Sequence, residues 1–211
     1  MKLVALDFST ERRSVAVTDG KDVLAVRWID DRRAGAMGLI EAVLDDASLK
    51  RDELEGVAVG LGPGSYTGIR SSIAIAQGWQ LARTVKLFGV SSVATLANTF
   101  EGDGEFLVVV DAQRGEFYCA GFESIAGKVR ECSQLRIVSR DELLTLAGDR
   151  LKIVGPDAGK LDGPGMELYP DARVLAKLVM RGASPVEGSD LEPIYLRPVE
   201  FRKAPPARVI E

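Results

Sequence analysis

Apolar residues fall into short runs whose spacing predicts strands that alternate with helices. Residues 3–6 and 57–59 are continuous apolar runs of strand length, which is typical of buried strands. In the stretch 34–47, apolar residues recur at intervals of three and four, the spacing of an amphipathic helix. The first half is predicted to contain strands at 3–7, 14–18, 22–29, 56–60 and 87–90 and helices at 34–47, 69–83 and 91–100.

The same order of elements begins again after a polar break at residues 101–104. The run 106–111 repeats the pattern of 3–7, and a hairpin, a helix and a glycine-ended strand follow it. The predicted elements are strands at 106–111, 116–122, 128–138 and 151–156 and helices at 139–147 and 171–181. Two copies of this unit predict an α/β fold with two lobes across a cleft, the duplicated actin-like (ASKHA, RNase H-like) architecture.

The duplication divides the chain into a first lobe at 1–102, a second, smaller lobe at 103–190 and a C-terminal segment at 191–211. The final residues carry cations among prolines: Arg197, Arg202, Lys203 and Arg208. A solvated tail is the expectation, because chain ends usually lie at the surface, and contact with RNA phosphates is the alternative.

Composition narrows the chemistry that such a fold can carry. The formal charge is −4, so tight nucleic-acid binding by this chain alone is not expected. The sequence has no histidine and two cysteines, which excludes Ser-His-Asp, Cys-His and Cys/His zinc sites. The apolar runs are too short to span a membrane, and Asp7 stands where a signal peptide would remain apolar, so the cytoplasm is the expected compartment.

The two cysteines fall on the second predicted hairpin. With the turn at 124–127, Cys119 lies opposite Cys132, where β-carbons are close. Two buried, reduced thiols are the expectation, because cytoplasmic disulfides are uncommon, and a redox pair is the alternative.

A glycine-rich loop at residues 60–68 connects a predicted strand to a helix, where backbone N–H groups could hold an anion. The loop lacks the lysine of a P-loop, and Gly68 stands one residue too late for a dinucleotide-binding fingerprint. A tight turn that lets the helix pack close to the sheet is therefore favoured.

An aspartate ends the first strand of each predicted lobe, at Asp7 and Asp111. In two-lobed folds of this kind, aspartates at these positions lie near the phosphates and metal of a nucleotide, and the alternative is that they only cap strand ends. The bulky, charged residues 11–13 disfavour phosphoryl transfer, which depends on a closely fitted cradle. We predict no catalytic residue and no metal ligand, and a degenerate nucleotide or anion loop formed by Asp7, Ser9, Thr10, Gly62, Gly64, Ser65 and Asp111.

The helix at 34–47 has two possible roles, packing on its own sheet or docking on a partner. Small residues at its start permit close helix approach, and Met37 adapts to a partner surface. The candidate partner interface consists of Ala34, Met37, Ile40, Glu41 and Leu44.

Five segments occur in the order found in the bacterial TsaB (YeaZ) family, which this sequence resembles over nearly its whole length. The most specific is Gly-Pro-Gly-Ser-Tyr-Thr-Gly-Ile-Arg at 62–70, and the others lie at 3–10, 89–92, 111–118 and 193–197. The resemblance implies a two-lobed actin-like fold. It also implies a role in making N6-threonylcarbamoyladenosine beside the anticodon of tRNAs that read codons starting with A.

The resemblance further implies a division of labour, in which TsaD transfers the threonylcarbamoyl group to tRNA, the small ATPase TsaE binds the pair and the TsaB subunit is non-catalytic. We therefore expect a heterodimer with TsaD, a ternary complex with TsaE, contact with tRNA through the complex and a homodimer when the chain is alone. ATP, Mg²⁺ and metal are expected in the partner subunits and no cofactor in this chain. The helix at 34–47 is expected to dock on the equivalent TsaD helix, so that Ile40→Asp disrupts the pair. The alternative is a free-standing ATPase or small-molecule kinase.

Overall fold

The computed structural model describes residues 1–30, 35–148, 151–161 and 165–197. Its strands are β1 (Leu3–Asp7), β2 (Arg13–Thr18), β3 (Val23–Ile29), β4 (Gly56–Gly60), β5 (Lys86–Val90), β6 (Gly104–Gln113), β7 (Glu116–Ile125), β8 (Lys128–Ser139), β9 (Lys152–Gly155) and β10 (Gly165–Glu167). Its α-helices are α1 (Ala36–Asp46), α2 (Tyr66–Ala82), α3 (Ser92–Ala97), α4 (Arg140–Ala147) and α5 (Ala172–Met180).

Two five-stranded sheets with the same topology form the frame of the molecule. The first has the order β3-β2-β1-β4-β5 and the second has the order β10-β9-β6-β7-β8, which is the same order read from the other edge. In each sheet three antiparallel strands are extended by two parallel ones. The predicted duplication is therefore confirmed, and the chain has an α/β, two-lobed, ASKHA-like fold.

Helices cover both faces of the first sheet, which explains why β1 and β4 consist almost wholly of buried apolar residues. α1 and α2 pack on one face, in a core that includes Val4, Leu6 and Val59. α5 packs on the opposite face, against Leu3, Ala5 and Ala58, with a core of its own.

The helices do not follow the linear division of the chain at residue 102. α5 belongs to the second half of the sequence but packs on the first sheet. α3 precedes the break, but Val93, Leu96 and Ala97 pack with Phe106 and other residues of the second sheet. The expected boundary therefore separates the two sheets but not the helices, because each lobe completes its core with a helix from the other half.

The predicted pairing of the two cysteines is wrong. The turn consists of two residues, since Ile125 pairs with Lys128, and register shifts near Gly121 place Arg136 opposite Cys119. Cys119 is buried and Cys132 is exposed, and both are free thiols. Burial raises the pKa of the Cys119 thiol to about 11, which keeps it protonated at neutral pH.

The start of the C-terminal segment is packed on the first lobe. Leu191 is part of the core beneath α1 and α2. The backbone N–H of Ile194 donates to the carbonyl oxygen of Leu61 at 2.8 Å. Arg197 forms an ion pair with Glu116 of β7. The predicted solvated tail is therefore not observed at Arg197, and its other cations, Arg202, Lys203 and Arg208, lie outside the described residues.

Two further differences from the sequence prediction concern the helices and strands near the cleft. α2 begins at Tyr66 rather than at residue 69, because Ser65 caps it by accepting the N–H of Gly68. The short strand β10 was not predicted, since three residues are too few to give a periodic signal. In the described part of the chain, no helix has both the length and the apolar content that crossing a membrane requires.

Candidate functional site

A cleft of about 720 Å³ lies where the loops after β1 and β4 face the second lobe. Ser9, Thr10, Gly64, Ser65 and Asp111 of the predicted set line it. Asp7 and Gly62 do not. Sequence reasoning assigned no site role to four other lining residues, of which only Tyr118 lies in a segment that carries the family resemblance: Tyr118, Asp157, Lys160 and Tyr169.

Asp7 is buried beneath the cleft, and its carboxylate oxygens are bound by the chain itself. Oδ1 accepts the backbone N–H of Ser9 at 3.0 Å and its hydroxyl at 2.6 Å, while Oδ2 accepts the hydroxyl of Ser92 at 2.8 Å. Burial raises the pKa of Asp7 above its ordinary value, and the hydrogen bonds from Ser9 and Ser92 oppose this rise only in part. The carboxylate therefore joins the end of β1 to the start of α3 rather than facing the cleft.

The glycines of the 60–68 loop allow close approach of the backbone. A Cβ at Gly64 would lie 2.1 Å from the carbonyl oxygen of Ser9, and one at Gly68 would lie 1.9 Å from that of Phe8. Loop N–H groups are also occupied, since Ser65 donates to the Ser9 carbonyl oxygen and Gly62 donates to the Ser92 hydroxyl. This geometry supports the tight-turn interpretation of the loop.

The second cleft carboxylate, Asp111, is held by a lysine. Lys160 Nζ lies 2.8 Å from both Asp111 Oδ2 and Asp157 Oδ1. Burial would raise the pKa of Asp111, but hydrogen bonds from Lys160 and the Gln113 N–H outweigh it and lower that pKa. Hydrogen bonds to Asp111 and Asp157 raise the pKa of Lys160 to about 12. An ammonium group thus bridges two carboxylates, as a bound cation would.

The charges that line the cleft are mixed. Glu11, Asp111 and Asp157 face two cations, Arg13 and Lys160, and Lys160 is already held by two carboxylates. Within the described ranges, no three His, Cys, Asp or Glu side chains are grouped closely enough to hold a metal ion. This arrangement offers little positive charge to the phosphates of a nucleotide.

The predicted partner stripe on α1 is wrong for two of its residues. Ile40 and Leu44 are only 0% and 3% exposed because they pack in the core of the first sheet. Met37, which is 43% exposed, and Glu41, which pairs with Arg51, lie on the outer face. Ala34 lies outside the described residues.

The structure adds an outer face on α2 that sequence reasoning did not find. Ala74 and Gly78 are exposed, and Leu81 is 90% exposed. Because α1 and α2 cover the same face of one sheet, their outer faces lie on the same side of the molecule. We call the exposed residues Met37, Gly38, Ala74, Gly78 and Leu81 the α1–α2 face.

Residues 32–159, more than half of the chain, match the family model described as TsaD: tRNA N6-adenosine threonylcarbamoyltransferase. The tRNA threonylcarbamoyladenosine biosynthesis protein TsaB of Escherichia coli is 28% identical over 97% of this chain and 99% of its own length. The chain belongs to the TsaB (YeaZ) family. The TsaB of Bacillus subtilis is 30% identical to it over 56% of this chain and 53% of that relative.

A solved structure of YeaZ from Pseudomonas aeruginosa has the same fold as this TsaB-family chain. The TM-score is 0.78 at 24% sequence identity, over 92% of this chain and 99% of the other. Membership of the TsaB family indicates involvement in the biosynthesis of threonylcarbamoyladenosine in tRNA.

Proposed function

We propose that this TsaB-family chain is the non-catalytic partner of TsaD, which it holds in a form competent to transfer the threonylcarbamoyl group to tRNA. The target is the adenosine beside the anticodon of tRNAs that read codons starting with A. TsaE joins the pair, the complex works in the cytoplasm, and the partner subunits bind ATP, Mg²⁺ and metal.

The environments of Asp7 and Asp111 carry this proposal. A nucleotide-hydrolysing site needs carboxylates whose free oxygens hold Mg²⁺ or orient water. Here Asp7 is buried and accepts three hydrogen bonds from Ser9 and Ser92, and Asp111 is neutralised by Lys160. Displacing these donors would be required before either group could act on a substrate.

The α1–α2 face supports docking of a partner helix. Glycine inside a helix costs about 1 kcal/mol relative to alanine. No described atom outside the helix lies within 4 Å of a Cβ built at Gly38 or at Gly78, so neither glycine is needed for packing within the chain. Because glycine has no side chain, another helix can approach these two positions closely. The exposed Met37 and Leu81 provide apolar contacts beside them.

Leu81→Asp should disrupt the pair while leaving the fold intact. A carboxylate on the α1–α2 face would lose its water in the interface, so we expect the affinity for TsaD to fall by at least about tenfold. Leu81 is 90% exposed, so the melting temperature should change little. Co-purification and calorimetric titration with TsaD measure the effect.

Ile125→Asp is the matched control, because it places the same charge at an exposed apolar residue on the tip of the second-lobe hairpin. If Leu81→Asp binds TsaD as tightly as wild type does, the partner docks on another surface. Light scattering of the chain alone tests whether two copies pair through the same face.

Asp7→Asn should leave transfer by the complex unchanged, because Asp7 has a structural role in this proposal. The raised pKa means that the native state binds its proton more readily than the unfolded state. Ionisation of Asp7 therefore reduces stability as the pH rises from the ordinary value of 3.8 through the raised pKa. The free energy of unfolding of Asp7→Asn, relative to that of wild type, should therefore increase with pH over this range. Above this range the difference between the two proteins should be constant.

Asp7→Leu is the comparison variant. It leaves the N–H of Ser9 and the hydroxyl of Ser92 without their acceptor, and we expect a loss of about 2 kcal/mol. Transfer assays with and without the chain, and phosphate release by the isolated chain with Mg-ATP, measure function. Phosphate release by the chain alone that Asp7→Asn abolishes would instead establish the free-standing ATPase.

A further inference from the structure

Three side chains form a cluster beside the cleft: Tyr66 and Arg70 on the first turns of α2, and Tyr195 in the C-terminal segment. The two phenol rings are stacked with their centroids 5.9 Å apart. The Arg70 guanidinium lies 4.5 Å from the centroid of Tyr66 and 5.8 Å from that of Tyr195. Its Nε donates to the hydroxyl of Tyr195 at 3.0 Å. We call these three residues the rim cluster.

The rim cluster stands on packed elements yet remains open to solvent. Tyr66 is 60% exposed and Tyr195 is 41% exposed, although large aromatic side chains usually bury most of their surface. The packed backbone around Leu191 and Ile194 fixes Tyr195, and α2 fixes the other two residues. Ring surface that is preorganised and accessible suits a further planar group.

Arg70 retains a positive charge that no described carboxylate neutralises. Among the described residues it forms no ion pair with a carboxylate, in contrast to Arg27 with Asp46 or Arg173 with Asp171. The neighbouring Tyr66 is the first residue of a 17-residue helix, whose dipole adds positive potential at that end. An anion beside the stacked rings would therefore be attracted.

A second exposed cation lies on the facing lobe. Arg114 stands in the two-residue turn between β6 and β7 with φ 62°, a conformation that favours glycine or asparagine over arginine. The ion pair of Glu116 with Arg197 brings this hairpin to the end of the segment that carries Tyr195. Arg114 is exposed and stands next to Gln113, which lines the cleft.

We propose that the rim cluster and Arg114 bind an unpaired nucleotide of an RNA loop, with the base against Tyr66 and the flanking phosphates beside Arg70 and Arg114. The choice of RNA rests on the proposed function, since the substrate of that complex is tRNA. Aromatic rings joined to arginine are the usual means of binding single-stranded bases. Because the net charge of the chain is −4, its surface as a whole does not attract RNA. The contact at the rim cluster therefore adds to the affinity of the TsaD complex for RNA and does not supply that affinity alone.

Fluorescence anisotropy with a fluorescein-labelled RNA hairpin tests the proposal, on the full chain alone and in complex with TsaD. The expected result is tighter binding of the hairpin than of a duplex with the same stem. Tyr66→Ala should weaken hairpin binding by about tenfold, and Tyr66→Phe should retain it, because stacking needs the ring and not the hydroxyl. Arg114→Gln should lower the dependence of log affinity on log salt by about one.

Co-purification with TsaD separates this inference from the proposed function. Tyr66→Ala and Arg70→Gln should bind TsaD like wild type, since the α1–α2 face is unchanged. If Tyr66→Ala binds the hairpin as tightly as wild type, both alone and in complex with TsaD, the RNA contact is wrong. The proposed partner role would be unaffected by that result. Loss of TsaD from these variants would also overturn it, by identifying the cluster as a protein contact.

Discussion

Ile40→Asp should strongly destabilise the first lobe. The side chain is 0% exposed and packs between α1 and the first sheet, in the core that contains Leu6 and Val59. A carboxylate there would be buried without a partner, and burial of an unpaired charge is among the most destabilising changes known. We expect a loss of at least about 4 kcal/mol, against a total stability of about 5–15 kcal/mol for an ordinary domain. Urea unfolding followed by circular dichroism measures it.

Two substitutions on the same helix serve as controls for Ile40→Asp. Ile40→Val removes one buried methylene and should cost about 1 kcal/mol. Met37→Asp places the same charge on the exposed face of α1 and should leave the unfolding midpoint nearly unchanged. A folded Ile40→Asp protein with wild-type stability would mean that α1 does not pack as described. Until that is tested, loss of TsaD from this variant reports unfolding and not a broken interface.

Gly68→Ala and Gly78→Ala should have opposite effects on stability although both lie in α2. A Cβ at Gly68 would lie 1.9 Å from the carbonyl oxygen and 3.0 Å from the carbonyl carbon of Phe8, so the helix or β1 must move. We expect a loss of about 3 kcal/mol, the upper range for overpacking. At Gly78 no described atom outside the helix lies within 4 Å of the new Cβ, and alanine should add up to about 1 kcal/mol.

Thermal unfolding of the two variants beside wild type measures this difference. Equal melting temperatures would show that α2 does not contact the loop after β1 as closely as described. Gly78→Ala has a second use, since it lies on the α1–α2 face. If a partner helix packs against Gly78, the variant should be more stable alone and bind TsaD less tightly.

The strands and their duplication could be predicted because each depends on local pattern. The runs in β1 and β4 are apolar at successive positions, and the equivalent run in β6 has the same character, so the repeated order was visible without a structure. The helical periodicity of α1 was equally clear. The surface that the apolar face of α1 packs against could not be predicted. A stripe such as Ile40 and Leu44 indicates that one face is buried, but not whether the chain's own sheet or a partner buries it.

Pairing across the second hairpin required the tertiary structure. Cys119 would face Cys132 in a regular ladder around the predicted turn, but a shorter turn and two register shifts place Arg136 opposite it. Extra residues in a bulge change every later pair on that strand, and the sequence does not mark where they occur.

The sequence by itself determined the strands and most helices of the two lobes, the absence of histidine chemistry and the order of motifs that indicates the family. Only the tertiary structure decided what those motifs do in this chain. It buried Asp7 beneath the cleft and placed Lys160 between Asp111 and Asp157. It also brought Tyr195 into contact with Tyr66 and Arg70 of α2, although 125 residues separate Tyr195 from Arg70. The physical reason is that periodicity and capping act between neighbours in the chain, whereas burial and charge pairing depend on residues that only folding brings together.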